Sequence, residues 1–337
     1  MKPTRIGLDI AKSVFQVHGV DGHGKTVIRK TLSRGEVLSF FANLSPCLIG
    51  IEACAGAHYW ARELIKLGHE ARLMAAQFVT PYRKSGKNDA NDAEAICEAV
   101  GRPNMRFVPV KSVEAQAVLT VHRARALTVA ERTALVNQVR GLLGEFGIVA
   151  RPGIAQARKL LAAIGAGEWE LPILARETLG DLHDRLRALD ARILAYERKI
   201  EGLARQSEPA QRLMAIEGVG PITATALVAS VGEAKTFKSG REFAAWLGLT
   251  PRQHSSGGKA KLGAISKRGD VVLRTLVIHG ARSVLRLAAQ RDDRKSRWAQ
   301  ALKERACANV AAVALAAKNA RIIWAMLSKG TQYRMAT

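Results

Sequence analysis

IGLDIAKSVFQV, residues 6–17, sets Ile6, Leu8 and Ile10 in alternation with Gly7, Asp9 and Ala11, the period of a strand with one buried face. A second apolar run through Val17 leads to Asp21-Gly22-His23-Gly24, a turn composition, and then to TVIRKTL (26–32). The stretch therefore opens a sheet with a hairpin. CLIGIEACAG (47–56) reads as a short buried-type strand carrying Glu52 towards its end. A helix over residues 57–67 is stopped by Gly68, and EARLMAA (70–76) returns as a strand. Strand, helix, strand predicts a mixed α/β sheet. KSGKNDANDAEAIC (84–97) then begins a helix that runs to Val100.

From Val113 to Phe146 the pattern is one long helix rich in Arg and Ala, ended by Gly147. A further helix is predicted from Thr178, where Leu179, Leu182, Leu186, Leu189, Ile193, Tyr196, Ile200 and Leu203 recur at alternating spacings of three and four. That spacing is a coiled-coil seam, and its partner is either a helix of the same chain, such as 113–146, or a second subunit. After Ser207-Glu208-Pro209, the run LMAIEGVGPITATALVASVG (213–232) places a Gly-x-Gly turn between two apolar helical patterns. It reads as a helix-hairpin-helix, whose turn amides and helix N-terminus can hold a backbone phosphate without reading sequence, or as an ordinary tight helical turn. The remainder is expected to be a helix over 239–247, a polar loop over 251–270, and helices over 271–289 and 304–327.

The 337 residues are 48% hydrophobic, enough for two or three domains with real cores. Lys and Arg outnumber Asp and Glu by 52 to 29, a formal charge of +23. A surplus of that size repels itself unless a polyanion offsets it, so nucleic acid is the expected partner. Residues 208–337 hold 22 basic against 8 acidic side chains, a net of +14, and so carry the main electrostatic footprint. Cys47, Cys54, Cys97 and Cys307 have no CxxC spacing and the eight histidines form no ligand pattern. A reducing cytoplasm is expected. The start MKPTRIGLDIAK lacks an apolar signal core, and Lys318 and Arg321 interrupt the Ala-rich stretch 310–327, so no membrane span is expected.

Asp89 and Asp92 lie three apart at a helix start and share one face. Alone, such a pair is a solvated helix N-terminus favoured by the helix dipole. Asp9 and Glu52 change the reading, because each sits on or at the end of a predicted strand, where an unpaired carboxylate is costly without a compensating cation. Oxygen-only ligands select Mg²⁺ or Mn²⁺, and phosphodiester chemistry is the natural reaction. The basic surface would then hold nucleic acid while the acids hold the metal. In PRQHSSGGKAKLGAISKRGD (251–270), Ser255 and Ser256 precede Gly257-Gly258 amid Arg252, His254, Lys259, Lys261, Lys267 and Arg268, donors suited to phosphate oxygens. Alone, that loop is a mobile phosphate-binding segment as readily as a nucleophile.

Taken in order, GLDIAK, IEACAGAH, KNDANDA, EGVGPITATAL and GLTPRQHSSGGKAKLGAISKRGD followed by LRTLV resemble the DEDD-type insertion-sequence transposases, relatives of the Piv-type DNA invertases. The resemblance covers almost the whole chain. It implies an α/β plus α protein: a RuvC-like, RNase H-type catalytic domain over 1–112, long helices and a coiled-coil linker over 113–207, and a C-terminal transposase domain over 208–337 with a helix-hairpin-helix and a serine loop. It further implies that Asp9, Glu52, Asp89 and Asp92 bind Mg²⁺ or Mn²⁺, that Ser256, with Ser255 as its rival, is the nucleophile, and that Arg252, Lys259, Lys261, Lys267 and Arg268 contact nucleic acid. The implied activity is excision and insertion of a mobile element by a homo-oligomer, dimer or tetramer, guided by a structured bridge RNA that selects donor and target DNA. The alternative is a RuvC-type junction endonuclease that uses water as its nucleophile.

Overall fold

The computed structural model describes residues 2–84, 88–259 and 261–333; residues 85–87, just before the acidic pair, lie outside the described residues. The chain forms two compact units, Met1–Val113 and Glu114–Thr337.

In the first unit, strands β1 (Arg5–Ile10), β2 (Val14–Val20) and β3 (Thr26–Ser33) form an antiparallel meander. Helix α1 (Val37–Ala42) leads to β4 (Leu48–Glu52), α2 (Ala57–Lys66) and β5 (Glu70–Met74), so that β4 lies parallel to β1 and β5 parallel to β4. The short helix α3 (Ala76–Val79), helix α4 (Asp89–Val100) and the edge strand β6 (Phe107–Val108) complete a mixed six-stranded sheet in the order β3-β2-β1-β4-β5-β6. The alternation predicted for residues 6–10 is observed. Ile6, Leu8, Phe15, Ile49, Ile51 and Leu73 are buried in one core with Phe41, Trp60 and Leu64, while Met74 joins Ile96, Ala99 and Val100 of α4 in a second.

The second unit is mainly helical. Helices α5 (Val113–Gly144), α6 (Ile154–Gly165) and α7 (Ile173–Gln206) precede a bundle of α8 (Glu208–Met214), α9 (Pro221–Val231), α10 (Gly240–Trp246), α11 (Val271–Leu287), α12 (Arg294–Arg305) and α13 (Ala308–Lys329). A two-stranded hairpin, β7 (Pro251–Gln253) and β8 (Leu262–Ile265), sits between α10 and α11. One expectation is corrected here: the region 251–270 is not simply loop. The helix expected over 304–327 is observed as α13, while α6 and α12 were not expected. Helix α12 escapes a periodicity search because RKSRWAQALKER buries only Lys295, Ser296 and Ala299. Helix α13 is long and apolar enough to cross a membrane by length and composition, but Ala311, Ala312, Leu315, Ala316, Ala320 and Ile323 are fully buried in the bundle core.

Leu179, Leu186, Ile193 and Ile200 of the heptad seam are buried within the chain, while Leu182, Leu189, Tyr196 and Leu203 are half-buried. Leu179 and Leu186 pack with Leu135, Val136, Val139 and Leu143 of α5 and with Leu161 and Ile164 of α6. Ion pairs join Arg125 to Glu197 and Arg132 to Asp190. Each partner steps seven residues, forward along α5 and backward along α7, so the two helices run antiparallel. Asp190 also takes Arg158 of α6 at 2.6 Å; burial opposes its ionisation, but Arg158 and Arg132 hold its carboxyl below the ordinary range. Placing charges in this seam, as in Leu186→Asp with Ile193→Asp, is expected to cost several kcal/mol of folding stability, since neither carboxylate has a partner there. Loss of helical circular dichroism at a lower temperature checks this. A folded variant whose only change is a smaller assembly would contradict intrachain packing.

Candidate active site

Asp9 and Glu52 each sit one step beyond Leu8 and Ile51, the last paired residues of parallel strands β1 and β4. Side chains alternate along a strand, so both carboxylates share the face of Gly7 and Gly50. That face belongs to α4. A Cβ on Gly7 would collide with the Ala93 carbonyl and the Cys97 backbone, and one on Gly50 would lie 2.7 Å from Val100 Cβ. The two glycines let the helix lie against the sheet, and the direction Ala93 to Val100 turns its N-terminus towards the Asp9 end of β1. Asn88 caps that N-terminus by accepting the Asn91 amide at 2.8 Å, and Asp89 and Asp92 occupy the first turn.

All four carboxylates meet electrostatically. Burial, with added repulsion from Asp89, Asp92 and Glu52, raises the Asp9 carboxyl to about 6. Asp92 is 14% exposed and its Oδ1 stands 2.5 Å from Arg83 Nε. This is an ion pair, but its angles do not make a hydrogen bond for either atom. Among the described residues no three such side chains close a ligand cage. The all-oxygen donor set and the repulsion concentrated on Asp9 fit a hard divalent cation. Cys54 neighbours the cluster; partial desolvation, then Glu52 and Asp9, raise its thiol.

Sequence reading did not single out Gly7 and Gly50, although a glycine two residues before each strand acid was a visible signal. Gly7→Ala is expected to destabilise the first unit by about 1–3 kcal/mol through overpacking against α4. Gly35→Ala, where an added Cβ meets nothing within 4 Å, is expected to stay within about 0.5 kcal/mol of wild type. Urea unfolding of the pair checks the difference.

The second group of chemical residues lies on the β7–β8 hairpin. Ser256-Gly257-Gly258-Lys259 is a tight turn, closed by the Lys259 amide donating to the Ser256 carbonyl at 3.1 Å. Gly257 and Gly258 have φ of 55° and 76°, the left-handed pair that a two-residue type I′ turn requires. Ser255 Oγ accepts from Gln253 Nε2 at 2.8 Å and from the Lys261 amide at 3.3 Å. Among the described residues Ser256 Oγ has no such partner. Arg252, Lys259, Lys261, Lys267 and Arg268 are all exposed around the hairpin and its exit.

That exit is held by a residue the sequence did not single out. The buried Arg274 donates Nη1 to the carbonyls of Arg268 at 2.9 Å and Leu247 at 3.3 Å. Lys267 takes a positive φ of 55° as the chain passes under α10, a strained conformation for a residue with a side chain.

Helices α8 and α9 are joined by the Ala215–Gly220 turn. Gly218 presses on the Gly280 backbone of α11, where a Cβ would lie 2.6 Å from its carbonyl oxygen. No side chain caps the N-terminus of α9.

Comparison with known proteins adds the family. Residues 210–297 match the family described as "Transposase IS116/IS110/IS902 family", and residues 6–148 match the DEDD_Tnp_IS110 family, described as "Transposase". The chain is 58% identical to a "Probable family 20 transposase" of Pseudomonas aeruginosa, over 99% of both chains. It is 44% identical to the "Transposase for insertion sequence element IS1111A" of Coxiella burnetii, over 99% of this chain and 92% of that one, and 42% identical to the "Transposase for insertion sequence element IS1328" of Yersinia enterocolitica, over 98% of each. The chain belongs to the IS110/IS116/IS902 transposase family. It is thus an enzyme of DNA cleavage and rejoining. The four acids fall inside the first matched region and the serine hairpin inside the second. The mixed sheet and the helical second unit accord with a DEDD transposase.

Proposed function

We propose that this IS110-family transposase excises and inserts an insertion sequence by serine attack on a DNA phosphate, with Asp9, Glu52, Asp89 and Asp92 holding one or two divalent cations. The observation that carries the reading is the placement of Asp9 and Glu52 at adjacent ends of β1 and β4, on the face that receives the first turn of α4 with Asp89 and Asp92; the mutual repulsion of these acids needs positive charge to be tolerated. A β3-β2-β1-β4-β5 order with acids at the ends of β1 and β4 supports an RNase H-type, RuvC-like catalytic domain over 1–112. The long helices of 113–207 form a linker with coiled-coil spacing, and 208–337 forms the transposase domain.

A divalent cation, Mg²⁺ or Mn²⁺, supplies Lewis acidity to the scissile phosphate when bound. Ser256 Oγ loses its proton and forms a bond to phosphorus, the P–O3′ bond breaks, and the departing oxygen takes up a proton in turn to become a free 3′ hydroxyl. The phosphodiester energy is kept in the phosphoserine. Attack by another 3′ hydroxyl reverses the step and rejoins strands without ATP. The reaction requires tetrad and serine to act on the same phosphate, supplied by one chain or by different subunits of a homo-oligomer. Ser256 is favoured over Ser255 because the Ser255 hydroxyl already accepts two hydrogen bonds. Arg252, Lys259, Lys261, Lys267 and Arg268 bind phosphate oxygens, and Arg274 keeps their loop in place.

The uncapped N-terminus of α9 behind the 215–220 turn suits a helix-hairpin-helix that grips a backbone phosphate. A structured guide RNA selects donor and target in this reading, and the basic 208–337 region offers the charge to bind it. Affinity for duplex DNA is expected to fall steeply with salt, with a log–log slope near 0.9 for each phosphate neutralised. The isotherm at several salt concentrations checks this, and a flat response would contradict a polyanion partner. Recombination at a chosen site by RNA-free protein would contradict the guide.

A further inference from the structure

A cleft in the second unit is lined by none of the four site acids and by no residue of the serine hairpin. It has a volume of about 390 Å³ and lies between α12, α13 and the segment 331–333 that follows α13. Arg294, Lys295 and Lys318 supply its charge, Ile322 and Met326 its floor, and Tyr333 a wall. Lys295 is buried, with Nζ 5.9 Å from the centre of the Tyr333 ring. Lys318 Nζ lies 4.5 Å over the ring of Trp298.

The acids nearby neutralise only part of this group. Asp293 is spent on the first turn of α12, accepting the Lys295 and Ser296 amides at 2.9 Å each and the Ser296 hydroxyl at 2.6 Å. Glu217 is shared between Arg291 and Lys295, each at 3.0 Å. Among the described residues, neither Lys318 nor Arg294 has a carboxylate within ion-pair distance. Burial, then Lys295, Arg294 and Arg321, push the Lys318 ammonium below its ordinary range, with Asp293 opposing. Arg294 and Lys318, held at one cleft without an ion-pair partner, leave positive charge for an anion to complete.

The shape narrows the anion. A bare phosphate leaves an apolar floor and an aromatic wall without a partner, whereas a nucleotide meets the cations with its phosphate and the floor and ring with its base. A base stacked in a duplex cannot enter. Through Glu217 the cleft is wired to the turn before α9, because the Glu217 carbonyl accepts from Asn319 Nδ2 at 3.1 Å on α13 while its carboxylate holds Lys295 on α12. We propose that this cleft is a nucleotide subsite that takes one unpaired nucleotide of a DNA or RNA strand, its phosphate held by Arg294 and Lys318 and its base laid against Tyr333. The proposal rests on the nucleic-acid reading above but not on the cleavage chemistry.

The test uses the full chain with short 5′-phosphorylated oligo(dT), oligo(U) and a blunt duplex of the same length. Tyr333→Ala is expected to weaken single-strand binding about tenfold, the loss of one stacked base, with the salt slope unchanged. Tyr333→Phe keeps the affinity. Arg294→Gln with Lys318→Gln is expected to lower the single-strand slope by about 0.7 for each phosphate no longer neutralised. Duplex binding stays as in wild type throughout. A loss seen with only one of the two oligomers assigns the strand as DNA or RNA. Light-induced crosslinking of a 5-iodouracil strand to wild-type protein reads the same stacking without a substitution, and Tyr333 is the expected adduct. Equal losses for strand and duplex, no loss at all, or crosslinks only elsewhere would overturn the subsite. Failure of wild type to bind any of the three probes would instead remove the nucleic-acid reading beneath it.

Discussion

Asp9→Asn is expected to reduce DNA strand cleavage by at least about 10³-fold, because loss of a Lewis acid removes several kcal/mol of charge stabilisation at the reacting phosphate. Binding to duplex DNA should survive, since the basic residues that grip phosphate are untouched. The same substitution removes one of four mutually repelling carboxylates. It is therefore expected to raise the melting temperature of metal-free protein by about 2–5 °C, while the further stabilisation that Mn²⁺ gives wild type is lost. Cleavage assays and thermal melts with and without Mn²⁺ read the two effects separately. A variant that still cleaves, or that melts lower and still responds to Mn²⁺, would refute the role given to Asp9.

Ser256→Ala is expected to abolish both the covalent protein–DNA adduct and recombination, since no other group in the hairpin turn replaces the hydroxyl. Ser255→Ala should keep the adduct and lose some rate, because its hydroxyl ties Gln253 and the Lys261 amide together within the hairpin. Denaturing gels of a labelled substrate report the adduct directly. The RuvC-type endonuclease makes the opposite forecast, with Ser256→Ala nicking DNA at nearly the wild-type rate and no adduct from any variant. An adduct that persists in Ser256→Ala and disappears in Ser255→Ala would show that the neighbouring serine is the nucleophile.

Strands β1 to β5 were legible because each alternates or forms a short apolar run between turn signals, whereas the two-residue edge strand β6 was not read. Helix α2 was predicted over 57–67 and is observed over Ala57–Lys66. Helix α4 starts at Asp89, as the sequence indicated, behind an Asn88 cap that was not singled out. The β7–β8 hairpin was less legible. Its residues are nearly all exposed, so no buried face imposes a period, and the one available signal was Gly257-Gly258 between two short runs. Helix α6 carries Ile154, Ala157, Leu161 and Ile164 at helical spacing and was open to the same search that found α7. The heptads of α7 were plain, but a heptad does not name its partner.

Chain order by itself therefore determined the kinds of element, the acids at the strand ends and at the start of α4, the serine doublet and the concentration of positive charge after residue 208. These are local properties: a period, a cap, a spacing, a net charge. Tertiary structure alone decided that Asp9 and Glu52 share the face that Gly7 and Gly50 leave open to α4, and that Leu179 and Leu186 of α7 are buried against α5 and α6. It also decided that Ser255 is engaged while Ser256 is not, and that Arg294, Lys318 and Tyr333 border one cleft. The physical reason is distance along the chain. Close approach, burial and mutual repulsion arise between residues tens to hundreds of positions apart, and they acquire values only when the elements carrying them have packed.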